Sequence, residues 1–165
     1  NNIASIEAKI KQQEEEAKKK AEAKGESYTP MSAGDVSFTW PCPSSGRISS
    51  DFGARSSPTE GASSNHKGID IGASSGAAVV AAASGTVVIA TYSASAGNYI
   101  MISHGGGVYT VYMHLSSISV SSGQSVNKGS TIGTVGSTGY STGPHLHFGI
   151  RINGSYVNPL SYVRP

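Results

Sequence analysis

From Asp35 onward, glycine cuts the chain into short segments rich in β-branched residues: AAVVAAA, GTVVIATYS, NYIMISH, GVYTVYMHL, SISV, STIGTV, HLHFGIRI and SYV. Runs this brief and this regularly punctuated suit strands, and no helical periodicity appears among them. They predict a mainly β domain, a two-sheet sandwich or barrel-like body. NYIMISHGGGVYTVYMH reads as a hairpin whose loop is Gly105-Gly106-Gly107.

Residues 1–24 follow different physics. They contain no Gly or Pro and are built largely from Ala, Glu, Lys and Gln, all strong helix formers. Ile3, Ile6 and Ile10 make a narrow apolar seam at 3, 4 spacing, with Ala17 and Ala21 as a weak continuation. Glu14 and Lys18, Glu15 and Lys19, and Glu16 and Lys20 are i, i+4 pairs in the favourable order. The segment is expected to be the end of a coiled coil, open to self-association or to a partner helix, with a charged helical linker as the plainer reading. Residues 25–34, GESYTPMSAG, are the expected linker, and residues 35–165 the β domain.

Composition excludes more than it selects. Only 13% of residues are charged and the net charge is +2, which gives no electrostatic footprint for nucleic acid. No stretch reaches the roughly 18 consecutive apolar residues of a membrane span. The single Cys42 can form neither an intramolecular disulfide nor a thiolate zinc site. The chain opens with Asn1 and shows no signal peptide, so it is read as a mature form or a part of something longer.

Five histidines carry the chemical signal: His66, His104, His114, His145 and His147. His66 precedes Asp70 by four residues in SNHKGIDIGA, where Gly68 and two isoleucines suggest a loop entering a strand. A histidine and a carboxylate suit a divalent metal such as zinc, although HxxxD alone is a weak signal. In HLHF, His145 and His147 point to one strand face while Leu146 and Phe148 pack on the other. Two imidazoles on one face need partners, and a metal is one. The alternation in VYTVYMHL puts Tyr109, Val111 and Met113 on one face and Thr110, Tyr112 and His114 on the other, so solvent exposure would account for His114. His104, at the hairpin loop, is expected to be a surface residue in turn hydrogen bonding. If His66, Asp70 and one histidine of the HLH pair bind a metal, two histidines remain for proton transfer. That division suits hydrolysis, in which a metal activates water and polarises a carbonyl while an imidazole moves the proton.

HxxxD in NHKGIDIGA, the YMHL closing a strand, and STGPHLHF together resemble the LytM and lysostaphin-type zinc endopeptidases, bacterial enzymes that cut peptides of the cell wall. The resemblance runs from Trp40 to Val163 and includes SSDFGAR. It implies Zn2+ held by His66, Asp70 and His147, with His145 and His114 flanking the attacking water as base and transition-state stabiliser. It implies the duplicated hybrid motif fold with a groove over the zinc, walled by the loops Ser56 to Asn65 and Ser137 to Thr142, with Tyr140 as a substrate contact or an exposed loop residue. It implies peptidoglycan peptides as partners and a place outside the cell or in the bacterial envelope. Gly149 departs from the family, many of whose members carry an acidic residue there, a change expected to alter the surroundings of the site but not the metal set.

Two other functions compete. Some relatives in that family have lost metal ligands and activate other wall hydrolases, and they too carry coiled coils; retention of all five residues here argues against that reading. VSSGQSVNKGSTIGTVGSTG has the turn pattern of lipoyl or biotinyl carrier hairpins, but Lys128 is followed by Gly129 within the turn and lacks hydrophobic neighbours, so the likeness is one of architecture.

Overall fold

The computed structural model describes residues 12, 15, 38–54, 65–66, 68–94, 96–105, 107–139 and 143–165. Of the expected helix 1–24 only Gln12 and Glu15 are among them, both helical and exposed. The rest of that segment, the linker 25–34, the loop at 55–64 and Tyr140 lie outside the described residues.

The rest of the described part is mainly antiparallel β. Its strands are β1 (Ile48–Ser50), β2 (Gly53–Ala54), β3 (Asn65–His66), β4 (Ile69–Gly72), β5 (Ala78–Val80), β6 (Gly85–Ser93), β7 (Gly97–Ser103), β8 (Val108–Ile118), β9 (Ser125–Val126), β10 (Thr131–Val135), β11 (His145–Ile152) and β12 (Ser155–Val157), followed by a 3-10 turn, Pro159–Ser161. Ten strands form one sheet with the path β1-β4-β11-β8-β7-β6-β9, to which β10, β5 and β12 attach; β2 and β3 form a separate ribbon. The predicted β7–β8 hairpin is present, with the His104 N–H donating to the Val108 carbonyl and Gly105 and Gly107 at φ of 92° and 87°. Asn153 and Gly154, both at positive φ, turn β11 into β12. The carrier-like turn joins β9 and β10, which pair with β6 and with β5 and β8 and not with each other.

β8 is the strand on which the architecture turns. Residues 108–113 pair with β11, whereas Leu115, Ser117 and Ile118 pair with β10. The change of partner falls at His114, which has φ of 65°, in the left-handed region that few non-glycine residues adopt. Against β7, Asn98 faces Leu115 and Ile100 faces Tyr112, so Tyr99 alone stands against Met113 and His114. That is a β-bulge, one extra residue that bends the strand and re-aims a side chain.

One face of β4, β11, β8 and β7 supplies the core: Ile69, Ile71, Leu146, Phe148, Tyr112, Ile100 and Ile102 pack with Val79, Ile132 and Val135 from the β5–β10 branch. The other face carries Ile89, Tyr99, Met101, Tyr109 and Val111, with Met113 and Tyr156 against them. Thr110 and Tyr112, read from alternation as a polar face with His114, are fully buried on the core side. The Tyr112 hydroxyl accepts from the Ala82 N–H at 2.9 Å and meets the Thr110 hydroxyl at 2.7 Å. The Thr110 hydroxyl in turn lies 2.9 Å from His104 Nε2, and His104 Nδ1 lies 2.8 Å from the Ser84 carbonyl.

A carbonyl can only accept, so His104 carries its proton on Nδ1, and the remaining directions follow: Tyr112 donates to Thr110, and Thr110 donates to His104 Nε2. His104 is therefore structural but not a surface residue; it is 8% exposed. Burial lowers its pKa, partly opposed by the Ser84 carbonyl, and raises that of Tyr112 to about 12.

Tyr112→Phe would leave the Ala82 N–H without its acceptor, so we expect a loss of about 1–3 kcal/mol in denaturant unfolding; an unchanged midpoint would show that the chain of hydrogen bonds carries no stability. The lowered folded pKa of His104 also sets a pH dependence. Stability from keeping this ring neutral is complete above the ordinary histidine value of about 6.5 and is lost as pH falls from there towards the folded pKa, because the unfolded chain takes up the proton first. The stability of the wild type should therefore fall more steeply between pH 7.5 and 5 than that of His104→Asn, and equal slopes would contradict the assignment.

Candidate metal and catalytic site

Three paired strands bring the expected residues together. Asp70 of β4 stands opposite His147 of β11, which stands opposite Met113 of β8. Directly paired residues share a face, and here that face is opposite the core. Ile69 and Ile71 flank Asp70, and Leu146 and Phe148 flank His147; all four are fully buried on the core side. Alternation thus aims the carboxylate and both histidines of HLHF outward while anchoring them from below.

Asp70 Oδ1 lies 3.2 Å from His147 Nδ1 and 3.6 Å from His145 Nε2. Nδ1 of His145 lies 2.8 Å from the Gly143 carbonyl and therefore carries a proton, so in the neutral ring the lone pair is on Nε2, the atom nearer the Asp70 carboxylate. The ring of His114 is 4.9 Å from that of His145 and 6.2 Å from that of His147. Nδ1 of His114 donates to the Thr138 carbonyl at 2.7 Å, so its Nε2 also bears the lone pair. Burial first, and then the neighbouring His147 and His145, push the His114 pKa down to about 4, with the Thr138 carbonyl and Asp70 pulling the other way. The ring is neutral at physiological pH.

His114 is thus not the exposed end of a polar face. It is 8% exposed, and the bulge turns it away from the side of Thr110 and Tyr112 and onto that of His147. Alternation could not have found this, because the extra residue resets the phase. The signal available in the sequence was chemical: a histidine closing a strand.

His66 lies in β3, paired with Gly53, and its side chain is outside the described residues. Two residues on, Gly68 lies against β11: an added Cβ would be 3.0 Å from His147 Nε2 and would overlap the Phe148 carbonyl. The Gly68 backbone, two residues before Asp70, therefore lies directly beside His147. Among the described residues no three His, Cys, Asp or Glu side chains close on a single point for an ion. The donor chemistry nevertheless fits a divalent cation. Asp70 offers a carboxylate oxygen and His147 an imidazole nitrogen 3.2 Å from it, a hard and a borderline donor side by side. Gly149 is on the same face, opposite Val111, between His147 and Arg151 along β11. Cys42 is buried and unbridged.

The chain is 48% identical over 119 residues to the DD-carboxypeptidase/endopeptidase Mpg of Neisseria meningitidis serogroup B, covering 72% of this chain and 27% of that protein. It is 41% identical over 126 residues to the murein hydrolase activator NlpD of Escherichia coli K12, covering 76% and 31%. The crystal structure of a zinc-containing peptidase from Vibrio cholerae superposes with a TM-score of 0.70 at 32% identity, over 78% of this chain and 41% of that one. The chain therefore spans about a third or less of the length of these curated relatives. The model of peptidase family M23 matches residues 64–159, a span that runs from just before His66 to beyond β12 and takes in all four described site residues, and the chain belongs to that family.

Proposed function

We propose that residues 35–165 form the catalytic domain of a zinc-dependent endopeptidase that hydrolyses peptide bonds in bacterial peptidoglycan, within the cell envelope or outside the cell. The observation that carries this reading is the convergence of Asp70, His147, His145 and His114 on one sheet face, with their core-side neighbours packed beneath. His66, Asp70 and His147 would hold Zn2+. Zinc supplies Lewis acidity, lowering the pKa of a water and polarising the scissile carbonyl.

The chain's own groups supply the rest. In both His145 and His114 the Nδ1–H is engaged by a backbone carbonyl, at Gly143 and Thr138, so each ring offers Nε2 as an acceptor. His145 Nε2, beside Asp70, takes a proton from the attacking water. A protonated imidazole then becomes the donor that delivers this proton to the departing amide nitrogen as the C–N bond breaks. His114, neutral and buried, accepts a hydrogen bond from the attacking water at Nε2 and so orients it beside His145. The finer architecture we assign is the two-sheet duplicated hybrid motif with its groove over the metal, preceded by the linker 25–34 and a helix at 1–24 that pairs with a second helix.

The similarity to a murein hydrolase activator favours a second reading, in which the domain binds the wall or another hydrolase without cutting. Digestion of purified peptidoglycan of several chemotypes, followed by mass spectrometry of released fragments, separates the two. We expect soluble peptide fragments, about one zinc per chain, and loss of release on chelation with recovery on adding zinc. Unchanged release after chelation would overturn the metalloenzyme, and release only when a second hydrolase is present would favour the activator.

The roles also divide by mutation. Asp70→Ala and His147→Ala should lose both zinc and activity, whereas His145→Ala and His114→Ala should keep zinc and lose about 10²- to 10⁴-fold in rate. Full activity of His145→Ala would show that the proton moves through another group.

A further inference from the structure

His114 holds a costly backbone conformation inside a bulge, a geometry of the kind that persists only where its surroundings over-determine it. The structure shows what does so. The His114 N–H donates to the Ala96 carbonyl at 2.8 Å, just before β7 begins. Its ring donates from Nδ1 to the backbone carbonyl of Thr138, in the connection between β10 and β11. The Thr138 hydroxyl donates at 2.7 Å to the carbonyl of Leu115, the residue after His114, and accepts from the Asn98 N–H at 3.1 Å. The Asn98 side-chain amide donates to the same Leu115 carbonyl at 2.9 Å. Gly97, at φ of 67°, permits this closeness, since an added Cβ would overlap the hydroxyl, carbonyl carbon and carbonyl oxygen of Thr138.

We infer that Thr138 and Asn98 are positioning residues for His114: the Thr138 hydroxyl ties the β10–β11 connection to the bulge and the Asn98 side-chain amide braces β7 on the same Leu115 carbonyl, so that the Thr138 carbonyl holds the His114 ring in the Nδ1–H form with Nε2 towards the reacting atoms. Both act through His114. Thr138 is suited to the task because one side chain fastens two elements while its own carbonyl, at the same residue, sets the imidazole. A serine preserves this double use; a valine preserves the shape and removes both hydrogen bonds. Asn98 is the outer brace. Its loss leaves the Thr138 link to Leu115 in place and should be felt less.

This inference rests on the catalytic role proposed for His114, and the experiment keeps the two apart. The full chain is prepared as wild type, Thr138→Val, Thr138→Ser and Asn98→Ala. Zinc content and kinetics on soluble peptidoglycan peptides are measured in the zinc-loaded form, and the histidine 15N spectrum is recorded without metal, where it reports the tautomer. We expect Thr138→Val to lose about 10- to 100-fold in kcat at unchanged KM and zinc content, with His114 exchanging between tautomers. Thr138→Ser should recover to within about threefold of wild type with the Nδ1–H form restored, and Asn98→Ala should lose about 3- to 10-fold. Thr138→Val with wild-type kcat and a pure Nδ1–H ring would overturn the inference, as would a loss explained by missing zinc. A wild type that cuts nothing would overturn the proposed function, while the tautomer measurement would still decide whether Thr138 sets the ring.

Discussion

The site depends on the register that places Asp70, His147 and Met113 in one row across β4, β11 and β8. Side chains alternate with a period of two, so a slip of one residue in β11 would send His145 and His147 into the core and bring Leu146 and Phe148 out. Such a slip would bury imidazoles without partners and expose two fully buried apolar side chains, each at a cost of several kcal/mol. The packing that stabilises the sheet therefore also sets the direction of Asp70, His145 and His147. Gly68 completes the arrangement by letting the backbone ahead of Asp70 lie directly on His147.

His114 breaks the alternation that positions its neighbours. A regular β8 would place it beside Tyr112, within the apolar core. The bulge inserts it as an extra residue, changes the partner of the strand from β11 to β10, and brings its ring to the side of His145. A strained backbone at the junction of two strand pairings is a place where a reactive side chain can be held without relying on its own rotamer preferences.

Much of the fold was legible because glycine and β-branched residues act locally. β6, β10, β11 and β12 coincide with segments read from the sequence, and the β7–β8 hairpin has its loop at the glycine run. The two faces of HLHF were readable for the same reason, since a strand of regular pleat needs no tertiary information. His114 and His104 were misplaced on physical grounds. A bulge is invisible to a period-two pattern, and the burial of His104 follows from partners at Ser84 and Thr110 that meet it only in the folded sheet. The polar letters of Thr110 and Tyr112 suggested a wet face; their hydroxyls are satisfied by one another and by the Ala82 N–H inside the core.

Three histidines share one device and differ in one atom. His104, His114 and His145 each direct Nδ1 to a backbone carbonyl. In His104 the second nitrogen is met by Thr110 and the ring serves only structure, whereas in His145 it faces Asp70, and the ring of His114 packs beside it. The most direct test is a crystal structure of the zinc-loaded protein at a resolution that fixes ring orientation. Zinc should be bound by His66, Asp70 and His147, with His114 at positive φ and its ring on the same face, beside His145. Zinc bound without Asp70, or His114 turned to the core side beside Tyr112, would contradict it.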